Sequence, residues 1–259
     1  MSRSDKEYKT MTADRIYLHV WGDLACFTRP EMKVERVSYS VITPSAARGL
    51  LESILYKPQF RWCIHRIAVR KPVCFMAFRR NEVKSRAAAR NPQPIIAEED
   101  RTQRNTLALR NVDYVIEASM SLTRLANQPR QKPPVEDDPI GDDNLGKYYG
   151  MFRRRAEKGQ CFNQPCFGCR EFPAHFELAD ASAMNVPPGL NPNSSLGLML
   201  YDVFNLDIGA DYQTGKIEAH PQITFFPAGL RNGHLVEDGH DTLPRWEDMK
   251  KQLQPGGVV

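Results

Sequence analysis

Hydrophobic and polar positions alternate strictly over residues 15–22: Ile16, Leu18 and Val20 fall on one side, Tyr17, His19 and Trp21 on the other. A period of two is the mark of a half-buried strand. Residues 38–41 predict a short second strand. At residue 43 the period changes. Thr43 suits a helix N-cap and Pro44 the first helical position, where a missing N–H costs nothing. Ala46, Ala47, Leu50, Leu51, Ile54 and Leu55 then recur at helical spacing, and Pro58 stops the run. Two β-branched, apolar segments follow, 60–69 and 73–78, split by Lys71-Pro72. Residues 84–104 are polar and predict a long, mobile insertion. Strand character returns over 106–122, with Val112, Tyr114 and Ile116 opposite Asp113, Val115 and Glu117.

A Pro- and acid-rich break occupies 127–143. Residues 144–158 then predict a helix, with Leu145, Tyr149 and Phe152 on one face and Gly159 at the position after the C-cap. Residues 160–178 have a hairpin-like texture. Three turn-bounded strand candidates follow at 196–204, 216–220 and 222–226. Counted together, these elements predict an α+β protein. Residues 12–178 would form a ferredoxin-like βαββαβ unit of the kind used by RNA-recognition modules, and residues 179–259 a small β-rich extension.

Charge sharpens this picture. The net charge of +4 is the difference of two unlike parts. Residues 1–110 hold 21 Lys+Arg against 11 Asp+Glu, and the remainder 14 against 20. Such polarity suits one region meeting a polyanion. No apolar run is long enough to span a bilayer, and the polar first residues lack a secretory h-region, so the cytoplasm is the expected compartment.

The densest cationic string is Lys147, Arg153, Arg154, Arg155 and Lys158, with Tyr148 and Tyr149 beside the lysine. Cations neutralise phosphates while aromatic faces accept unstacked bases, so this segment points to RNA. Arg66 and Arg70 would share one strand face, and Arg79 and Arg80 end the following strand. Phe60 and Trp62 read as core. Cys161, Cys166 and Cys169 give Cys-x4-Cys-x2-Cys, with His175 nearby. Without a second Cys-x2-Cys pair, these are expected to be reduced thiols in a hairpin, with no metal and no cofactor. The chain has no Walker loop, Gly-x-Gly-x-x-Gly, His-Glu-x-x-His or Gly-x-Ser-x-Gly.

Four strings carry a closer likeness: VWGDLACFTRPEMKVERVSYSVITPSAARGLLESILYKPQFRW (20–62), RRNEV (79–83), LRNVDYVIEA (109–118) and NLGKYYGMFRRRAEKGQCFNQPCFGCREFPAHF (144–176). Together they resemble the CRISPR-associated protein five family, subtype I-C, over most of residues 15–178. The resemblance implies a ferredoxin-like fold and membership of the Cascade surveillance complex, beside its backbone and large subunits. Target DNA is then met only through the complex. It also implies metal-independent cleavage of the precursor CRISPR RNA within its repeats, followed by retention of the 5′ handle. By the same resemblance Lys147 takes the family lysine's position. Tyr148 stands where many relatives have histidine, and Leu55, followed by Tyr56, stands at the family's helix tyrosine. The candidate catalytic set is therefore Lys147, Tyr148 and Tyr56. An unperturbed phenol, with a pKa near 10, is a weak base at neutral pH. A non-catalytic subunit that only caps the handle is the alternative reading.

Overall fold

The alternation that begins at Ile16 becomes a ten-residue strand, β1 (Ile16–Ala25), with Ile16, Leu18 and Val20 buried. The computed structural model describes residues 15–85, 94–123, 125–126, 143–204 and 222–251. After β1 come β2 (Arg36–Val37), α1 (Pro44–Ile54), β3 (Phe60–Val69), β4 (Phe75–Val83) and β5 (Arg101–Leu122). Then follow α2 (Leu145–Glu157), β6 (His175–Ala179), β7 (Ser194–Phe204), β8 (Gln222–Arg231), β9 (His234–Glu237) and α3 (Trp246–Lys251). The protein is α+β, with a mostly antiparallel sheet and few helices.

Helix α1 starts as its sequence dictates. Thr43 Oγ1 accepts a hydrogen bond from Ala46 N at 3.2 Å, and Pro44 fills the first turn. Its Ala47, Leu50, Leu51 and Ile54 side chains are buried on the sheet. Asn144 caps α2 in the same way, its Oδ1 accepting from Lys147 N at 2.9 Å. Tyr148, Tyr149, Phe152 and Ala156 form the buried stripe of α2. Gly159 follows with φ +63°, a left-handed turn that suits glycine. Phe152 packs edge-on against Trp62, with ring centroids 4.7 Å apart. Phe60 and Trp62 are core residues, as expected from the sequence, and Trp62 Nε1 donates to Leu55 O at 3.2 Å.

The strands run in the order β6-β1-β5-β3-β9-β8-β7, with β2 and β4 joined to β5 off that path. Among the described residues only the β2–β5 pair is parallel. The second half of β5 lies between β1 and β3. Its first half leaves the core and pairs with β4 as an antiparallel arm. The C-terminal strands join the same sheet through β9 on β3, and one hydrophobic cluster includes Leu18, Trp62, Phe152, Met199, Tyr201 and Phe226. Arg48 of α1 fastens this part, making a two-point contact with Asp202 of β7 at 3.0 and 2.8 Å.

Several expectations shift. The second strand lies at Arg36–Val37 and not at 38–41. Backbone pairing continues past it only as single contacts, Ser38 N to Leu107 O and Tyr39 N to Phe27 O, each at 2.9 Å, while Ser38 Oγ takes a bond from Phe27 N and gives one to Tyr39 O. The polar stretch read as an insertion over 84–104 is shorter, because β4 reaches Val83 and β5 starts at Arg101. Both faces of this arm are polar toward its end, which hides a strand from any hydrophobic period. Residues 160–174 close as a compact turn through a Cys166–Pro173 bridge, and the strand after it pairs with β1. The strand expected at 216–220, the break at 127–142 and residues 86–93 of the expected insertion lie outside the described residues. Among the described residues no helix is long and apolar enough to cross a membrane.

Candidate functional site

The cationic string of the sequence is α2 and the residue after it. Helical spacing puts Tyr148, Tyr149, Phe152 and Ala156 inward, so Arg153, Arg154 and Lys158 are exposed. Arg154 and Arg155 stand in the last turn, where cations favour the negative end of the helix dipole. Arg155 is part of the scaffold: its Nη1 donates to Ile54 O at 2.8 Å and ties α2 to the end of α1. Arg153 also lines a cleft of about 340 Å³ with Arg15, Tyr17, Glu157, Ala179 and Asp180.

Lys147 occupies the first turn of α2, half-buried, with its backbone held by Asn144. Tyr148 points inward. Its ring lies 4.8 Å from that of Phe60, and its hydroxyl donates to Asp143. Tyr149 is buried as well, its hydroxyl accepting from Met120 N at 2.8 Å. Leu55 is fully buried at the end of α1, whereas Tyr56 is 53% exposed. The aromatic residues flanking Lys147 are thus core anchors, and the exposed phenol is Tyr56.

The strand arginines divide. Arg66 and Arg70 share the sheet face opposite the helices, as expected. They pair there with Glu117 at 3.7 Å and Asp113 at 3.9 Å. Arg79 is exposed on the arm. Arg80, one residue on, faces the other way. It is held by Glu82 at 2.7 Å and Thr106 at 2.7 Å, and so braces the arm.

Two clusters were not apparent from spacing. His19 bridges Glu177, 2.8 Å from Nδ1, and Asp113, 3.0 Å from Nε2. The carboxylates come from the two strands flanking β1, far from His19 in sequence, and only the alternation of β1 placed His19 on the open face. The second cluster joins Cys26 and Cys169. Cys169 beside it, helped by Thr28, Arg36 and Arg80, pulls the Cys26 thiol below the ordinary thiol range against the opposing effect of burial. Arg36 Nη1 donates to Cys169 Sγ at 3.4 Å. Gly168 makes the approach possible: with φ +80°, a Cβ on it would lie 2.1 Å from Cys26 O. All six cysteines are free thiols. Among the described residues no three His, Cys, Asp or Glu side chains are grouped to hold a metal ion.

These features define an α+β protein whose exposed cations gather on one helix and on strands that leave the core. Residues 16–235 match the family described as CRISPR-associated protein (Cas_Cas5). The chain is 44% identical over 238 residues to the CRISPR pre-crRNA endoribonuclease Cas5d of Mannheimia succiniciproducens, covering 85% of this chain and 93% of the relative. It is 42% identical over 228 residues to the protein of the same name from Thermus thermophilus, covering 85% and 90%. A solved structure described as a CRISPR-associated protein shares the fold at 20% identity and a TM-score of 0.57, covering 88% of this chain and 95% of that one. A functionally uncharacterized protein from Streptococcus mutans does so at 19% and 0.56, covering 86% and 91%. This chain belongs to the Cas5 family of CRISPR-associated proteins, subtype I-C.

Proposed function

We propose that this protein matures CRISPR RNA: it cleaves the precursor within its repeats, without a metal ion, and stays on the 5′ handle as a subunit of Cascade. The observation that carries this reading is the 42–44% identity, over 85% of the chain, to two proteins named CRISPR pre-crRNA endoribonuclease. The exposed cations of α2 supply a surface suited to the substrate. Its partners are then the CRISPR RNA and the backbone and large subunits, with target DNA engaged through the complex. The sheet order β6-β1-β5-β3, with α1 and α2 in the two crossovers, supports a ferredoxin-like unit over residues 12–178 that carries a β-rich extension over 179–259.

In this reaction the RNA's own 2′-hydroxyl attacks the neighbouring phosphate. The protein must align the attack, move protons and stabilise the charge that develops. Lys147 is the electrostatic stabiliser, held in place by the Asn144 cap. Tyr56 offers an exposed hydroxyl for substrate positioning or proton transfer. Tyr148 acts from beneath, its hydroxyl holding Asp143 at the entry to α2. Arg153, Arg154 and Lys158, with Arg66, Arg70 and Arg79, meet phosphates, while Arg155 and Arg80 hold the elements that present them.

The burial of Tyr148 and the presence of Leu55 favour a second reading, in which the subunit caps the handle without cutting. One experiment separates the two. The purified protein is given its cognate repeat RNA in EDTA, beside an RNA with a 2′-deoxy sugar at the cut site. Cleavage of the first and not the second is expected. Lys147→Ala should slow it on the order of a hundredfold or more, the usual loss on removing a preorganised charge, while weakening binding only modestly. Cleavage of the deoxy substrate, or a requirement for added metal, would sink the mechanism. Binding without cleavage leaves the capping role.

A further inference from the structure

The sheet face opposite α1 and α2 carries a three-ring stack. Trp21 of β1 lies 4.6 Å from His19 at an interplanar angle of 29°, and 5.7 Å from His175 at 25°. His19 and Trp21 are two residues apart on one strand, and His175 is Trp21's register partner on β6. One end of the stack is clamped. Carboxylates on two different strands, Asp113 and Glu177, clamp both nitrogens of the His19 ring. The turn at Ala181–Met184 covers the middle of this face, where Met184 packs on Val115 and Ala68. It leaves the Trp21 end open, and His175 is exposed there. Cations stand beside that end. Arg70 reaches Asp113, the residue paired with Trp21, and Lys71 Nζ donates to Asn111 Oδ1 at 2.6 Å.

A flat, preordered stack ending in an exposed ring, with guanidinium and ammonium groups alongside, has the chemistry of a single-strand nucleic-acid platform. Every base has a π face, so such stacking tolerates any sequence. Because His19 is already fixed and Trp21 lies against it, less side-chain freedom is lost on binding than for isolated rings. We infer that the His19–Trp21–His175 stack takes an unpaired base of single-stranded RNA against His175, at a site separate from α2. This rests on the reading of the protein as an RNA-handling subunit. It adds a base contact to a surface that otherwise offers only charge.

The test uses the full chain, a short oligoadenylate, and an abasic ribose-phosphate oligomer of the same length. Intrinsic fluorescence reports on the site, because Trp62 is only 1% exposed and one face of Trp246 is covered by Arg61 at 3.0 Å. Oligoadenylate should quench the emission and the abasic oligomer should not. Trp21→Phe should remove the quench. His175→Ala, at an exposed position that leaves the fold intact, should weaken oligoadenylate binding roughly five- to hundredfold. It should leave the salt slope and the abasic affinity unchanged. Equal binding of oligoadenylate by the parent and His175→Ala, or equal binding of the two oligomers by the parent, would overturn the stack while leaving RNA handling in place. A parent protein that binds neither oligomer would remove both.

Discussion

His65 sits on β3 with Nε2 2.7 Å from Ser119 Oγ, and burial, helped by the charge of Arg15, brings its pKa down to about 4 from 6.5. The folded protein therefore holds fewer protons at this site than the unfolded chain between those values. The stability it contributes is complete above pH 6.5 and is lost as the pH falls toward 4. A His65→Asn variant should escape that loss, so its urea midpoint relative to the parent should rise between pH 6.5 and 4. Parallel curves across that window would assign the acid sensitivity elsewhere. Arg48 and Asp202 make a different test. The pair is largely removed from water, with Glu52 2.5 Å from the guanidinium, and its neighbours hold Arg48 firmly charged. Removing one partner of such a pair strands the other, so Asp202→Ala should destabilise by about 3 kcal/mol in urea titration. Asp248→Ala, in the exposed pair with Lys251, should cost about 0.5 kcal/mol or less. At this scale the sequence was legible where one residue type has one destination. Phe60 and Trp62 went to the core because nothing on a strand buries more apolar surface. The inward turn of Tyr148 and Tyr149 was harder to read, since a tyrosine serves equally as a stacking face and as a core anchor with a polar tip.

Helix entries were the most readable elements. Thr43-Pro44 and Asn144 cap α1 and α2 as their chemistry demands, because capping is local and needs no knowledge of the rest of the fold. The Asn144 cap also sets the turn that carries Lys147. Asn144→Ala should cost about 1 kcal/mol in stability and lower the cleavage rate by more than it lowers RNA affinity. A variant with parental stability would show the cap to be idle. The β4–β5 arm was the least readable element. Arg79, Asn81 and Val83 face Asn105, Gln103 and Arg101 across the ladder, so its outer part has no apolar stripe. Strand order was equally hidden. His19 and its two carboxylates meet only because β1 lies between β5 and β6, and pairing partners are set by the whole sheet. The union of Cys26 with Cys169 was hidden for a related reason: a cysteine spacing invites pairing within its own motif, and here the partner stands at the end of β1.

Among the described residues the main hydrophobic cluster runs from β1 to β8, with a small second one at Ala68, Val115 and Met184. The strands after residue 193 enter it through β9 on β3 and through the Arg48–Asp202 contact. Far-ultraviolet circular dichroism and tryptophan fluorescence should therefore report one shared urea transition. Two separated transitions would mean that the extension is an independent unit. The 22-residue β5 has a further consequence for how copies of this protein meet. Paired hairpins with an open edge are natural candidates for exchange between neighbouring molecules. The arm here cannot be traded in that way, because one of its two strands continues without a break between β1 and β3. A swap would have to draw β5 out of the middle of the sheet and undo the core of both molecules. The outer strand, β4, carries Arg79, Arg80 and Glu82, and such charges discourage edge-to-edge stacking. An arm reaching out from the sheet thus stays the property of its own chain, even where copies crowd together.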